Sequence, residues 1–464
     1  MVLDPKIFRA YDIRGEAFKD FDEDGFFVVS QSFCKYVAKQ LNVLNPKIFV
    51  SGDGRLSMPE LYPAVLAGVE AGGGTVTWGG AIPTPINYFA LHEGGFDGAI
   101  QISASHNPPE YNGVKFVSRK GVVAGEQIQE IRKLAECEEC RGGMNLGECT
   151  ARCQEVEYSP AYTKKISKIT SPQKPKKIVI DCGNAIPGAF YPDILRSFGH
   201  KIVDLFCDVD TSFPNHQPDP ERKENLASLI DKVKEEQSDF GFAFDGDGDR
   251  LGIVLEDGTI LNADKILYIL AADFLSRNPN SPVVVDAMTS SILIEKIKDL
   301  GGIPVMSKTG HSYIEKKMKE SGSLLGGEQS GHFMIGENFY GHDDALLAAL
   351  RFLSAIENNS SLLLEVTTKW PSLLEFSEKF TVPDEKKFKV LEKISLELQQ
   401  KFPEASLLDG VRLNFGQGEW GIIRCSNTSP KISIRIEAKD QQSLDGKKQL
   451  LISVLQNAIS QKLL

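Results

Sequence analysis

The sequence predicts an α/β protein built from three repeated α/β domains, each with a mixed sheet and helices on both faces, followed by a smaller C-terminal α+β domain. Two observations lead to this prediction. A strand–helix–strand unit recurs three times in roughly the first 370 residues, and the remaining residues follow a different order of elements.

Each repeat begins with a β-branched strand that ends in an acidic or glycine turn: KIFVSGDGR (47–55), KIVIDCGN (177–184) and PVVVDAMTSS (282–291). A helix-length stretch follows, and glycine then precedes a second strand: GGGTVTW (72–78), GHKIVDL (199–205) and GGIPVMS (301–307). A third strand runs into a polar loop: DGAIQISASHNP (97–108), DFGFAFDGDGDR (239–250) and GSLLGGEQSGH (322–332). Ligands of such sheets bind beyond the carboxyl ends of the strands, so we expect function in these three loops.

The C-terminal part has its own order of elements. A helix is predicted over 385–402 between strand-like segments. After it come GIIRCSNTSP (421–430), KISIRIEA (431–438) and a closing helix near 442–462. Boundaries near 154, 256 and 368 give the predicted domains 1–154, 155–256, 257–368 and 369–464. The active site is expected where the domains meet.

Composition excludes several classes of protein. The 464 residues contain 52 Lys and Arg against 63 Asp and Glu, a net charge of −11, which disfavours a nucleic-acid binder. No apolar run approaches the ~20 residues of a membrane span, and the start lacks a secretion-signal pattern. We therefore expect a cytoplasmic protein with mostly free thiols. Cys137, Cys140, Cys149 and Cys153 are either ligands of a structural zinc or such free thiols.

Two polar loops suggest chemistry. In SASHNP (103–108), Ser105 is either a nucleophile on a tight turn or part of an ordinary polar turn. In DGDGDR, Asp245, Asp247 and Asp249 alternate with small residues and predict a site for a hard cation, Mg²⁺ above all. A calcium loop is the rival, but its sixth position requires glycine and here is Arg250.

Other polar groups have weaker signals. Glu328, Ser330 and His332 alternate in GEQSGH, either to bind sugar hydroxyls or as a polar turn. RCSNTSP offers a cage for a phosphate that is held but not broken, or else a simple turn after a strand. The cage residues are Arg424, Ser426, Asn427 and Thr428. Tyr11 and Arg14 in YDIRG, and Lys115 in YNGVK, complete the candidates.

The ordered set FRAYDIRG, ASHNPPEYNGVK, DGDGDR, GEQSGH and RCSNTSP resembles the α-D-phosphohexomutase family over essentially the whole chain. Within it, the chain looks most like the bacterial enzymes that act on mannose and glucose phosphates. The resemblance implies four domains around a central cleft and an enzyme that interconverts hexose 1-phosphates and 6-phosphates. A hexose 1,6-bisphosphate would serve as intermediate and activator, with one Mg²⁺ per chain.

The resemblance also assigns roles to residues. Ser105 would be the phosphoserine, and its phosphoryl oxygen would join Asp245, Asp247 and Asp249 around Mg²⁺. The groups around the reacting phosphoryl would be Tyr11, Arg14, His106, Lys115 and Arg250. Gly310 and His311 would position the sugar. Glu328 and Ser330 would hydrogen-bond to its 3- and 4-hydroxyls. The RCSNTSP residues would bind the distal phosphate, the one that does not react. His311, His332 and Lys115 are the candidates for general acid and base.

Sugar specificity is less well defined by the motifs. Met288 stands where mannose/glucose enzymes often have a basic residue, and Gln329 is similar to the phosphoglucosamine mutases. The SNTSP and FRAYDIRG segments favour mannose/glucose. A phosphoglucosamine mutase is therefore the alternative, followed by a sugar phosphatase or a non-catalytic sugar-phosphate sensor. The expected partners are small sugar phosphates, with no nucleic acid or membrane, in a monomer or small homo-oligomer.

Overall fold

The computed structural model describes residues 3–137, 155–170, 174–426 and 429–460. The chain divides into two units. Unit 1 comprises Met1–Ile266 and Ser330–Asn358, and unit 2 comprises Leu267–Gln329 and Asn359–Leu464.

Unit 1 begins with a six-stranded mixed sheet. Its strands are β1 (Ile13–Glu16), β2 (Lys47–Gly52), β3 (Thr75–Ala81), β4 (Gly98–Ile102), β5 (Tyr111–Ser118) and β6 (Gly121–Val122). The order is β1-β5-β4-β2-β3 with β6 also on β5; β2 is parallel to β3 and β4, whereas β5 is antiparallel to β4 and β1. The helices are α1 (Glu23–Leu41), α2 (Met58–Ala71), α3 (Thr84–Glu93) and α4 (Glu126–Ala135). Because β4 is buried along its whole length, both faces of this sheet need covering by helices.

The second sheet of unit 1 has five strands in the order β11-β10-β9-β7-β8. They are β7 (Lys177–Asp181), β8 (Lys201–Leu205), β9 (Phe240–Phe244), β10 (Leu251–Leu255) and β11 (Ile260–Leu261). The accompanying helices are α5 (Ser159–Ile169), α6 (Tyr191–Ser197) and α7 (Ala227–Glu236). β7 is parallel to β8 and β9, and β10 returns antiparallel to β9. Short 3₁₀ helices lie at Pro5–Ile7, Ile186–Ala189 and Lys223–Leu226.

The third set of parallel strands lies in unit 2. β12 (Pro282–Asp286) pairs in parallel with β13 (Ile303–Ser307) on one side and β14 (Leu325–Gly327) on the other. Helix α8 (Ala263–Arg277) contains the point at which the two units divide, and α9 (Ser291–Asp299) and α10 (His311–Ser321) follow β12 and β13. The hydrophobic run PVVVD is typical of a strand buried on both faces.

Residues 330–358 return to unit 1 as β15 (Phe333–Ile335) and α11 (Ala345–Asn358). The Phe352 ring on α11 packs edge-on against Phe240 of β9, with centroids 5.7 Å apart. Asp344 caps α11, since its Oδ1 accepts the Leu347 N–H at 2.9 Å. This helix therefore packs against the second sheet.

Unit 2 ends in an antiparallel four-stranded sheet of order β16-β19-β18-β17. The elements are α12 (Ser361–Thr368), β16 (Leu374–Thr381), α13 (Asp384–Lys401), β17 (Val411–Gly416), β18 (Glu419–Cys425), β19 (Lys431–Ala438) and α14 (Gln441–Ser460). Leu451, Val454, Leu455 and Ala458 recur at helical spacing on α14 and enter one buried core with Ile434. That spacing explains why α14 packs as an amphipathic helix.

The three parallel sets share one arrangement, with the first strand of each repeat between the second and the third. The orders are β3-β2-β4, β8-β7-β9 and β13-β12-β14. The polar loops identified from the sequence follow β4, β9 and β14, the third strands. The predicted fold class is confirmed: three α/β domains with mixed sheets precede an antiparallel C-terminal domain. The boundaries at 154, 256 and 368 stay predictions.

Candidate active site

The serine loop connects β4 to β5 and holds Ser105 in an unusual backbone conformation. Ser105 has φ of +52° and is only 2 % exposed. A left-handed backbone costs a residue with a side chain about 1–2 kcal/mol, so the surroundings must hold it in place. One restraint is local, because the Ser105 N–H donates to Ser103 Oγ at 2.8 Å.

Arg55 holds the serine loop from the end of β2. Its guanidinium donates to four backbone carbonyls, at 2.6 to 2.9 Å, and its Nε donates to Asp53 Oδ2 at 3.1 Å. The four carbonyls belong to Ser105, Asn107, Pro108 and Tyr111. The sequence does not single out Arg55, although its position after the first strand of the first repeat could have drawn attention to it.

The DGDGDR loop follows β9 and meets the serine loop directly. The Ser105 hydroxyl donates to Asp245 Oδ2 at 2.7 Å. The other oxygen of Asp245 accepts the backbone N–H groups of Gly248, Asp249 and Arg250 at 3.0 to 3.1 Å. The loop thus presents Asp245 to Ser105 in a fixed orientation. Since it connects two antiparallel strands, it lacks the entering helix of a calcium-binding EF-hand.

One glycine and one threonine allow the loops of the first two domains to lie close together. A Cβ on Gly246 would lie 2.1 Å from the Ser105 carbonyl oxygen, so only glycine fits there. Thr84, at the start of α3, donates its N–H to the Asp247 carbonyl at 2.8 Å and its hydroxyl to Asp247 Oδ2 at 2.6 Å.

The three aspartates form a buried group whose candidate ligand atoms all lie within 4.8 Å of one another. Asp247 Oδ1 and Asp249 Oδ1 are buried and accept no hydrogen bond from the described residues. Uncompensated carboxylate oxygens are costly inside a protein, and hard cations prefer oxygen ligands. This donor set therefore fits a divalent cation such as Mg²⁺.

Lys115, on β5, supplies positive charge to the acidic group. Its Nζ donates to Asp247 Oδ2 and Asp249 Oδ2, both at 2.6 Å. Burial by itself would lower the pKa of Lys115, but the two carboxylates raise it well above its usual value. Burial acts in the opposite direction on Asp247, and Lys115 nevertheless brings the pKa of that carboxyl below its ordinary value. Lys115 therefore stays charged.

Arg250 connects the acidic loop to His332. Its Nε donates to His332 Nε2 at 2.9 Å, and His332 Nδ1 lies 2.8 Å from Asp343 Oδ2. His332 Nδ1 is also 3.5 Å from Asp249 Oδ1. The sequence gives no sign of Asp343, because its relation to His332 depends on the turn between β15 and α11.

Three further predicted residues lie at the start of unit 1 or next to Ser105. Arg14 donates to Asn107 Oδ1 at 2.9 Å and pairs with Asp12. His106 Nδ1 is 3.1 Å from Ser105 Oγ. Burial lowers the pKa of His106 well below its usual value, and the Arg250 and Arg14 charges lower it further, so the ring is neutral. Tyr11 is half-buried, two residues before β1.

The remaining predicted residues lie mainly in unit 2. The Gly310 N–H donates to Glu328 Oε1, and His311 begins α10. Asp409 connects two loops, since its Oδ2 accepts the Thr309 N–H at 3.1 Å and Arg424 Nε at 2.8 Å. Asp409 is another residue that the sequence does not reveal.

The phosphate-cage loop is described in part. Ser426 N donates to the Lys431 carbonyl at 2.8 Å, while Asn427 and Thr428 lie outside the described residues. Ser330 belongs to unit 1, like His332, whereas Glu328 belongs to unit 2. The zinc prediction concerns Cys137, Cys140, Cys149 and Cys153. Cys137 is exposed, and the other three lie outside the described residues.

Comparisons with known proteins give the class of protein that this fold and site define. Models of the phosphoglucomutase/phosphomannomutase α/β/α domains I, II and III match residues 5–141, 157–258 and 262–372. The chain belongs to this family, the α-D-phosphohexomutases, and is an enzyme.

Individual members of the family are similar to this chain over nearly its whole length. A phosphomannomutase/phosphoglucomutase of Pseudomonas aeruginosa is 38% identical over 96% of this chain and 94% of its own length. A Neisseria gonorrhoeae phosphoglucomutase is 37% identical over 95% and 94%. A crystal structure of a Burkholderia thailandensis phosphoglucomutase/phosphomannomutase family protein matches with a TM-score of 0.88 and 33% identity, covering 99% of both chains. In the described part of this chain, none of the helices has the length and apolar character needed to cross a membrane.

Proposed function

We propose that this enzyme interconverts hexose 1-phosphates and hexose 6-phosphates, of mannose and/or glucose, by passing a phosphoryl group through Ser105. The main support is the 2.7 Å hydrogen bond between Ser105 and Asp245, which joins the hydroxyl of the first repeat to the acidic loop of the second. The activities for which the relatives at 37–38% identity are named, phosphomannomutase/phosphoglucomutase and phosphoglucomutase, agree with these two sugars.

Asp245, Asp247 and Asp249 would hold Mg²⁺ beside the phosphorylated Ser105. When bound, the ion supplies Lewis-acid stabilisation of the transferring phosphoryl group. The buried, unbonded oxygens of Asp247 and Asp249 are the support for this assignment.

Ser105 begins the cycle as a phosphoserine. Its phosphoryl group passes to a free hydroxyl of the bound sugar phosphate, the P–O bond to Ser105 breaks, and a hexose 1,6-bisphosphate forms. The bisphosphate then reverses its orientation in the site, and its other phosphoryl group is transferred back to Ser105. Phosphoryl transfer depends mainly on positioning and charge, so Lys115, Arg14 and Arg250 would neutralise the phosphoryl oxygens.

In the first transfer a proton must leave the attacking hydroxyl of the sugar and a proton must reach the departing Ser105 Oγ. In the return transfer the Ser105 hydroxyl loses its proton and the departing sugar oxygen takes one up. Lys115, His311 and His332 are the candidates. The carboxylate of Asp343 lies 2.8 Å from His332 Nδ1 and so places a negative charge beside this imidazole. Individual variants of the three residues, compared in kcat, would separate their roles.

The unit 2 residues, together with Ser330 of unit 1, would bind the part of the substrate that does not react. Arg424 and Ser426, with Asn427 and Thr428, would hold the distal phosphate. Gly310 and His311 would position the sugar ring, and Glu328 with Ser330 would bind its 3- and 4-hydroxyls. The contact between Gly310 and Glu328 is consistent with adjoining sugar-binding roles.

The decisive experiment is intact-mass measurement of the purified enzyme after incubation with a hexose 1,6-bisphosphate. One added phosphate is expected, located at Ser105 by peptide mapping, and S105A should lose both the phosphate and nearly all turnover. S118A is the matched control, because Ser118 is a buried serine of the same domain at the β5–β6 turn. An unmodified Ser105 with full mutase activity would refute the proposal.

Gln329 in GEQSGH favours a second candidate, phosphoglucosamine mutase. Measuring kcat/KM for mannose, glucose and glucosamine 1-phosphates side by side decides between the two. A preference of more than about tenfold for the amino sugar would replace the first candidate by the second. Release of inorganic phosphate as the main product would instead indicate a sugar phosphatase.

A further inference from the structure

Two cysteines outside the phosphoryl-transfer machinery face each other in the second domain. Cys182 directly follows β7 and Cys207 lies two residues beyond the end of β8, its parallel neighbour. Their Sγ atoms are 3.6 Å apart. Both are free thiols; Cys182 is buried, whereas Cys207 is partly exposed.

The geometry of the strand ends suits a covalent bond. A disulfide requires sulfurs about 2.05 Å apart and Cα atoms within roughly 4.4–6.8 Å. Neighbouring strands lie about 4.8 Å apart, and the Cys182 N–H is still bonded to the Leu205 carbonyl at 3.3 Å, so the backbones are already adjacent. The sulfurs need to approach by only about 1.5 Å.

We propose that Cys182 and Cys207 form a redox-sensitive pair that a peroxide converts reversibly into a disulfide. Cys207, the accessible thiol, attacks the peroxide as a thiolate, which breaks the O–O bond and gives a sulfenic acid and water. Cys182 then attacks the Cys207 sulfur and a second water leaves. Two thiols are thereby oxidised and one peroxide is reduced to two waters. A dithiol reductant reverses the step by thiol–disulfide exchange, becoming a disulfide itself.

The order of these steps follows from accessibility and charge. Burial raises the pKa of Cys182 well above its usual value, and the neighbouring Cys207 sulfur raises it further. Cys182 is therefore a poor first nucleophile toward a solvent oxidant but is well placed as the resolving thiol.

The segment 208–217 connects this pair to the serine loop. The Asp208 carbonyl accepts Asn184 Nδ2 at 2.8 Å, next to Cys182. At the other end of the segment, Gln217 Nε2 donates to the His106 carbonyl at 2.6 Å. A disulfide that moves the ends of β7 and β8 would therefore disturb the hydrogen bond that Gln217 donates to His106, the residue next to Ser105.

The test treats the full-length enzyme with hydrogen peroxide, blocks the remaining thiols, and maps disulfide-linked peptides without reduction. The expected result is a Cys182–Cys207 peptide that disappears after treatment with dithiothreitol. C207S should fold, because its side chain is partly exposed, and should lack this peptide. C182A repeats the test from the buried side, and C34S is the matched control that keeps the linkage. A wild-type enzyme in which both cysteines remain unlinked at peroxide levels that oxidise other thiols would overturn the proposal.

Hydrogen exchange tests the connection to the serine loop without relying on mutase activity. Peptides covering 103–108 and 208–217 should differ in exchange between oxidised and reduced wild type by at least twofold, and C207S should show no such difference. Equal exchange in a fully linked sample would overturn the connection between the two sites.

Discussion

Replacing Arg55 by lysine tests whether the clamp on the serine loop sets the position of Ser105. The guanidinium makes five hydrogen bonds, four of them to carbonyls of the loop, whereas an ammonium has three donors. At least two bonds are lost, each worth about 1.5–3 kcal/mol when the donor is charged, so R55K should lose roughly 3–6 kcal/mol of stabilisation around the loop. That loss exceeds the cost of about 1–2 kcal/mol for keeping Ser105 at positive φ. The Ser105 backbone should therefore leave the left-handed conformation.

The expected result is a fall in kcat of at least about tenfold, equivalent to 1.4 kcal/mol or more in the barrier, with a smaller change in KM. The coupled assay for glucose 6-phosphate formation measures both, and phosphate content at Ser105 is measured on the same samples. R119K is the control, because the Arg119 side chain is half-exposed and forms one ion pair with Asp97 at 3.3 Å. An R55K enzyme with wild-type kcat would show that the clamp does not position Ser105.

Three other changes have expected outcomes. Gly246→Ala would place a Cβ 2.1 Å from the Ser105 carbonyl oxygen, so kcat should fall at least about tenfold, whereas Gly446→Ala meets no atom within 4 Å and should leave it unchanged. Arg424→Ala should raise KM for a sugar phosphate more than it lowers kcat, and equal KM values in steady-state assays would contradict the phosphate grip. Burial raises the pKa of Asp344 to about 7, so between about pH 4 and pH 7 the folded protein keeps a proton on this carboxyl that the unfolded chain releases. The stability that this bound proton contributes is therefore lost as pH rises from about 4 through 7. Asp344→Asn should therefore reduce the fall in Tm between pH 5 and pH 7 measured by thermal unfolding, and an identical pH dependence would contradict this assignment.

Much of the fold follows from local signals in the sequence. The β-branched strands, the glycines that end helices and the strand that begins after each glycine are short-range features, so three copies of the unit could be predicted. The closing helix predicted near 442–462 corresponds to α14, because apolar residues spaced three and four apart define its buried face.

The candidate site was predictable where residues cluster in a motif and not where they meet only after folding. The DGDGDR aspartates stand out because three like charges are rare in an ordinary turn. Ser105 stands out only within the ordered set of motifs, because Ser, Asn and Pro are common turn residues. Arg55, Asp343 and Asp409 occur in stretches without such a signal, and each becomes important through a partner at least ten residues away. A long-range hydrogen bond has no counterpart in local periodicity.

Contacts between the loops of the first two domains explain why Ser105, Lys115 and the three aspartates are buried. The Ser105 hydroxyl, the Thr84 hydroxyl and the Lys115 ammonium all donate from the first domain to aspartates of the second. Separating the loops would remove the donors to Asp245 Oδ2 and Asp247 Oδ2, at a cost of about 1–3 kcal/mol for each oxygen left buried and unpaired. The contacts that hold the two domains together are thus the same contacts that orient Ser105 toward the acidic loop. A variant that weakens the contacts between these two loops should accordingly lose stability and turnover together, whereas Arg424→Ala should act mainly on KM.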